Sequence, residues 1–550
     1  MQRKQSMQPK FPDNIELQLG VMSEALKKQL LNQRETIIAN AILNHIGFNK
    51  SLTDGMIKKV VIIAKAHYKN VPVYSKIKTV DSEPIIRELG HYEPITPQGM
   101  NCILRPYQKD GVGFLVHANG EAILADEMGL GKTVQVLAYV DFIKPFPVLL
   151  VVPAGLKINW LNEIEDKLNY KLNVHIINGM KPYEIPYESD VVIINYSLLK
   201  KWEKTLNNFH FKLVVADEAH AIKNRDTTWS IIFKRIAWGC KHKILVTGTP
   251  IENSPIDIYN FIDILHRGRF NFWYFAKRYC KAFEDERYGW NFKGSDNEEE
   301  LGKILRSEFM IRRLKKDVEK DLPPKQIVNL KISIDNRKEY DEISNDFLVW
   351  FKENSGRTLN KRQMKAEAMM RLSILRQIVA EGKMSFVFNW VDNFLLEKNK
   401  LVVFCVHKEI IRLFKEHYGD KVRIIQGGMT TETKQGVIDI FQKGNLEIIL
   451  GNSSMESGHT LTASDTVLNI ELPWNPQKLN QRIDRCHRIG QTRHVWAYNL
   501  IAINTCDEYM LATNERKQQI SDNILDGGKE KVTARQLSLE GLIKSMEKMK

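Results

Sequence analysis

Ala122–Gln135 reads AILADEMGLGKTVQ, and the rest of the chain is organised around it. Ala122–Ala125 is a short apolar run of strand type. Gly129 and Gly131 make a turn, Lys132 and Thr133 follow, and Val134, Val136, Leu137 and Val140 continue with helical spacing. A strand, a glycine turn, Lys-Thr and a helix together make a cradle for phosphates. The glycines let backbone N–H groups approach phosphate oxygens, and the helix N-terminus adds a field that favours anions. In such a cradle Lys132 sits on the β- and γ-phosphates and the Thr133 hydroxyl ligates Mg²⁺. The usual spacing has a first glycine where this chain has Asp126. The stretch alone therefore leaves open an ordinary glycine turn before a basic helix.

The flanking residues bear on that choice. Upstream, in CILRPYQKDGVGFLV (102–116), Leu104, Tyr107, Val112 and Leu115 form one face of a predicted helix with Gln108 near its start. The Gln108 amide donates and accepts, as reading an adenine edge requires. Downstream, Pro147–Pro153, Val191–Asn195 and Leu213–Ala216 are predicted buried strands, the last running into Asp217-Glu218-Ala219-His220. A carboxylate at the carboxyl end of a buried parallel strand lies where α/β sheets bind ligands. Asp217 is the candidate Mg²⁺ ligand, and Glu218 the candidate to polarise an attacking water. Lys243–Pro250, KILVTGTP, is a further strand entering a tight turn. There Thr247, Gly248 and Thr249 are placed to sense loss of a γ-phosphate.

The bulk numbers fit an intracellular partner of polyanions. Lys and Arg number 80 against 66 Asp and Glu, a net charge of +14 over 550 residues. The six cysteines are scattered without a C-x-x-C pair, so neither a zinc site nor a disulfide framework is signalled. No apolar run is long enough for a membrane span, and no membrane partner is expected.

A second α/β unit opens at Leu401–Val406 and continues through Glu447–Leu450 to SSMESGHTLTASDTVLNIELPWNP (453–476) and QRIDRCHRIGQTR (481–493). Gln481, Arg485 and Arg488 lie at i, i+4 and i+7, on one helical face. By themselves, two arginines facing one way are either salt-bridged surface residues or fingers reaching a phosphate.

LADEMGLGKT, DEAH, VTGTPIEN and the region around Arg485 together resemble the SWI/SNF-type ATPases of helicase superfamily two, over roughly residues 100–525. RYCKAFEDERYGWNFKGSDNEEEL (278–301) and MIRRLKKDVEKDLPPKQ (310–326) are similar to the annealing-helicase, fork-remodelling branch. The resemblance implies that Asp126-Glu127-Met128 is a usual form of the phosphate loop. It places Asp126, Met128 and Gln481 with Gln108, Gly129, Gly131, Lys132 and Thr133 around ATP. Arg485 and Arg488 become fingers, and Ser457-Gly458-His459 resembles a coupling turn, with His459 where Asn or Thr often stands. The tight basic run Arg312, Arg313, Lys315 and Lys316, interleaved with apolar residues, and Trp474 of the WNP sequence are the expected nucleic-acid contacts.

The expected fold is α/β, with two tandem RecA-like lobes of parallel sheet flanked by helices. Residues 1–98 are read as a helical accessory domain that could dock a protein partner, 99–265 as the ATP-binding lobe, and 266–325 as a helical protrusion and basic linker. Residues 326–397 are read as a helical brace, 398–525 as the second lobe and 526–550 as a basic tail. The implied activity is an ATP- and Mg²⁺-dependent translocase on double-stranded or branched DNA. The alternatives are a strand-separating helicase and a nucleotide-gated scaffold that turns over little. A monomer is expected, in the cytoplasm of a bacterium or from a phage or virus and associated with the nucleoid, or in a nucleus if the source is eukaryotic.

Overall fold

The computed structural model describes residues 90–285, 289–355, 361–397, 399–456 and 460–528, with isolated positions before them. The chain divides into two compact units, Met1–Pro84 and Ile85–Lys550, so the first break falls ahead of the expected residue 98. In the first unit the described positions Met22, Ala39, Val60 and Ile63 are helical and buried.

In the larger unit the first lobe is built on strands β1 (Glu121–Leu124), β2 (Val148–Val152), β3 (Val174–Ile176), β4 (Val191–Asn195), β5 (Leu213–Asp217) and β6 (His242–Val246). β7 (Phe283–Asp285) and β8 (Gly289–Asn291) form a separate hairpin, and β9 (Met310–Ile311) returns to the main sheet. That sheet has seven strands in the order β3-β4-β2-β5-β6-β1-β9, all parallel. Its strands read as continuous apolar runs because helices cover both faces. One face packs Leu149, Val192, Val214 and Leu245 against the helices Leu199–Asn208 and Thr228–Gly239; the other packs Leu150, Ile193, Val215 and Ile244 against Lys132–Ile143. The carboxyl ends of β5, β6 and β1 lie side by side.

The second lobe is a six-stranded sheet of β10 (Lys325–Ile332), β11 (Leu401–Phe404), β12 (Val422–Ile425), β13 (Ile448–Gly451), β14 (Thr466–Asn469) and β15 (Val495–Ala502). The order is β10-β15-β14-β11-β13-β12, again parallel. β10 corrects the reading of 326–397 as a helical brace over its first residues, to Ile332. Its eight residues pair with β15 from Lys325↔Val495 to Ile332↔Ala502. As an edge strand it carries lysines and an asparagine among its apolar residues, which hides it from an apolar-run search. Helices Arg337–Ser355, Lys361–Gly382 and Met384–Leu395 follow, as expected for the rest of that segment.

The last described helix, Cys506–Leu525, joins the lobes. It starts on the second sheet, where Cys506 packs with Ala502, and ends with Ile520, Ile524 and Leu525 in the same core as Leu301 and Ile304 of the first lobe. Among the described residues no helix is long and apolar enough to cross a membrane.

Candidate functional site

The phosphate loop leaves β1 and enters the helix Lys132–Ile143. Gly129 and Gly131 have φ of 89° and 75°, a left-handed backbone that favours glycine. At Gly131 there is a second reason: a Cβ there would lie 2.5 Å from Gln108 Nε2. Gln108 is buried, accepts from the Arg105 N–H (2.9 Å) and donates to the Leu130 carbonyl (3.2 Å). Its amide thus ties the start of the helix Pro106–His117 to the loop.

Lys132 Nζ donates to the carbonyls of Asp126 (2.9 Å) and Glu127 (3.4 Å). Burial lowers its pKa, against the pull of Glu218, Asp126 and Asp217. Asp126, expected among the nucleotide contacts, has no exposed surface. Its carboxylate accepts from Gln135 Nε2 (2.9 Å) and Arg313 Nε (2.9 Å), so it anchors the loop from beneath. Thr133 is the second residue of the helix and half-buried. Met128 lines the loop opposite the Thr247-Gly248-Thr249 turn, where a Cβ on Gly248 would lie 3.0 Å from Met128 Cγ and 3.5 Å from Lys132 Nζ.

At the end of β5, Asp217 is held by residues that sequence reasoning had not assigned to the site. Trp160 Nε1 donates to Asp217 Oδ2 (2.8 Å), and the Tyr196 hydroxyl donates to its carbonyl (2.7 Å). Burial and the neighbouring Glu218 raise the Asp217 pKa to about 6. Glu218 takes a left-handed φ of 50°, and its Oε2 lies 3.3 Å from His220 Nδ1. Burial alone would raise its pKa, but His220, Lys132 and Arg485 outweigh this and hold it below the ordinary carboxylate value. The two carboxyls are pushed apart, the pattern by which neighbouring acids take different roles. Beside them Thr247 Oγ1 accepts from the Thr249 N–H (3.1 Å). The buried Thr249 hydroxyl makes no hydrogen bond among the described residues.

The second lobe forms the facing wall. Helix Pro476–Ile483 carries the buried Gln481, whose carbonyl accepts from Arg485 Nε (3.1 Å). Burial and Arg488 lower the Arg485 pKa to about 10, while Asp484 and Glu218 favour its charge. Arg485 is thus within electrostatic reach of Glu218 across the cleft. Arg488 lies beside the loop: a Cβ on Gly129 would lie 3.6 Å from Arg488 Cβ. The chain has brought both arginines to the crevice that holds Lys132. Gly458 and its turn lie outside the described residues.

The basic run is a correction. Arg312, Arg313 and Lys315 were expected on a surface facing phosphate, and they are turned inward. Arg312 donates to the carbonyls of Ala125 (3.0 Å) and Gly248 (3.1 Å) and pairs with Asp526 (2.6 Å). Arg313 pairs with Asp126, and Lys315, buried, pairs with Asp484 (2.9 Å). The cause is β9, which lays this segment along β1 and then along the phosphate loop: Ala125 N–H donates to Ile311 (2.8 Å) and Glu127 N–H to Arg313 (2.9 Å). Only Lys316 of the four is exposed. Trp474 is half-buried among core side chains with the Arg376 guanidinium 5.1 Å from its ring.

Left-handed glycines that a side chain would fill, a lysine amid carboxylates, a buried unpaired hydroxyl and two arginines opposite form a polar crevice suited to a nucleoside triphosphate. Comparison with known proteins finds the same segments. Residues 107–384 match the SNF2-related domain and residues 386–490 the helicase conserved C-terminal domain. The human DNA annealing helicase and endonuclease ZRANB3 is 34% identical over 456 residues, covering 80% of this chain and 42% of the relative. The Drosophila melanogaster SWI/SNF-related matrix-associated actin-dependent regulator of chromatin subfamily A-like protein 1 is 30% identical over 454 residues, covering 80% of this chain and 58% of the relative. Among solved structures, the Sulfolobus solfataricus SWI2/SNF2 ATPase core in complex with dsDNA is 26% identical over 79% of this chain and 96% of that one, with a TM-score of 0.38. The chain thus spans about two fifths to three fifths of the length of these curated relatives.

Proposed function

The chain belongs to the SNF2-related family, and on that premise we propose that it hydrolyses ATP between its two lobes and converts each cycle into movement along double-stranded DNA, remodelling or reannealing branched DNA. The observation that carries this reading is the cleft itself, with Lys132, Asp217 and Glu218 on one wall and Arg485 and Arg488 on the other. In the proposed site Lys132 turns from the loop carbonyls to the β/γ-phosphates, and Gln108 stays near enough to the loop for its amide to meet the base. Thr133 and Asp217 are the residues that would hold a Mg²⁺ ion, which would neutralise charge on the phosphates. Glu218, kept ionised by His220 and the cations around it, orients the attacking water. Arg485 and Arg488 stabilise the charge that develops on the transferred phosphoryl group.

Because the site is split between lobes, ATP favours the closed arrangement and hydrolysis removes that preference. Thr247-Gly248-Thr249 lies beside Lys132 and is where loss of the γ-phosphate is felt. Alternate closing and opening moves two backbone grips past one another along the duplex. One chain supplies every residue named, so a monomer suffices.

The test is ATP turnover without DNA and with single strands, plain duplex and forks, using Glu218→Gln as the zero. Duplex or forks are expected to stimulate most, with reannealing of a melted bubble. Stronger stimulation by single strands together with unwinding of plain duplex would replace this reading with a strand-separating helicase. Turnover equal to that of Glu218→Gln would reduce it to a nucleotide-gated scaffold.

A further inference from the structure

The linker between the lobes passes through the cleft, and one of its side chains touches both walls. Lys315 is 4% exposed, although it comes from the most basic run of the chain. Its backbone N–H donates to Glu127 Oε2 of the phosphate loop (2.7 Å). Its Nζ donates to Asp484 Oδ1 (2.9 Å) and to the His487 carbonyl (2.7 Å), the residues immediately before Arg485 and Arg488. Its stem lies over the loop, since a Cβ on Gly129 would sit 3.5 Å from Lys315 Cε and 3.6 Å from Arg488 Cβ.

Its neighbours support the same contact. Lys325 Nζ lies 3.5 Å from Glu127 Oε1 and 3.4 Å from Asp484 Oδ1, and the His487 ring bonds the Pro323 carbonyl (2.8 Å). Burial would raise the Asp484 pKa, but Lys325 and Lys315 hold it down to about 2. An ammonium this deeply buried is costly unless paired and hydrogen-bonded, and the Lys315 ion pair and both of its Nζ hydrogen bonds exist only while the finger segment is docked on the loop.

We propose that Lys315 is a positioning residue for ATP hydrolysis: it clamps Asp484 and the His487 carbonyl against the phosphate loop and so fixes where Arg485 and Arg488 meet the γ-phosphate. It touches neither the water nor the transferred group and acts through the arginines. The inference rests on the ATPase reading above.

The test is Lys315→Met in the full chain, which keeps the stem and removes the charge. A misplaced finger is expected to lower kcat about 10- to 100-fold, with affinity for ADP alone within about twofold of wild type. Affinity for ADP with aluminium fluoride, which needs the fingers in place, should fall with kcat, and this binding split reads the clamp independently of turnover. In an Arg485→Ala/Arg488→Ala background Lys315→Met should add almost nothing. Asp484→Asn reads the same contact from the other lobe and serves if Lys315→Met does not fold. Equal loss of ADP and ADP–aluminium fluoride affinity, an unchanged kcat, or a full additional loss in the finger-less background would each overturn the proposal. A wild-type chain that binds nucleotide with the split but turns over no ATP would instead sink the ATPase reading.

Discussion

Trp160 shows how a site is finished by residues with no motif of their own. Its ring is buried on the face of the first sheet that packs Leu150 and Ile193, and its one polar atom donates to Asp217 Oδ2 (2.8 Å). That bond stabilises the ionised carboxylate against the burial that raises its pKa to about 6. Trp160→Phe keeps most of the packing and deletes the donor. Partners of this kind typically change metal affinity or activity by about 10- to 100-fold when lost. If Asp217 holds Mg²⁺ as proposed, the expected outcome is a half-saturating Mg²⁺ concentration for turnover raised by about that factor, measured by Mg²⁺ titration at saturating ATP, with nearly native circular dichroism. An unchanged titration would mean that Glu218 N–H, 3.0 Å from Asp217 Oδ1, holds the carboxylate sufficiently alone. The sequence placed Asp217 and Glu218 because local order carries a strand and a following turn. It left Trp160 and Tyr196 unassigned because they arrive from other strand–helix connections, and only the parallel sheet brings them together.

At the scale of elements, the joint between the lobes is the helix Cys506–Leu525 lying on Glu298–Ile304. Their approach is so close that a Cβ on Gly302 would lie 2.3 Å from the Ile524 carbonyl oxygen, with Arg306 Nη1 donating to the same carbonyl (3.0 Å). Backbone cannot yield as a flexible side chain would. Gly302→Ala is therefore expected to destabilise by about 1–3 kcal/mol, read by denaturant unfolding. Gly239, at the end of the helix Thr228–Gly239, has open space around its missing Cβ. Gly239→Ala is the control and should be neutral or stabilising by up to about 1 kcal/mol. This joint, β10 and the inward turn of Arg313 share one property: each is decided by a partner distant in sequence. Buried strands such as Val148–Val152 were legible because their own composition forces them inside. Arg313 looked like a surface charge because nothing within its helix-like spacing shows that Asp126 waits beneath the loop.

For the whole molecule, the inward turn changes what a net charge of +14 means. Arg312, Arg313, Lys315 and Lys325 count toward that sum, yet all four are paired with carboxylates, Lys315 and Arg313 with the buried Asp484 and Asp126. On the proposed DNA-translocase reading, the charge that meets DNA comes from other, exposed residues, of which Lys316 is one from the same run. Salt separates the two populations, because each phosphate contact releases counterions and buried pairs release none. Duplex affinity of the full chain, measured by fluorescence anisotropy across a salt series, should fall on a straight log–log line. If Lys316 meets a phosphate, Lys316→Ala lowers the slope by about one unit. Arg313→Gln should leave the slope unchanged while costing about 3–5 kcal/mol of stability, because it strands Asp126 without its cation. A slope that falls for Arg313→Gln as it does for Lys316→Ala would mean that Arg313 swings out to the backbone when DNA binds. The Asp126 carboxylate would then keep Gln135 Nε2 and the Arg313 backbone N–H as its donors.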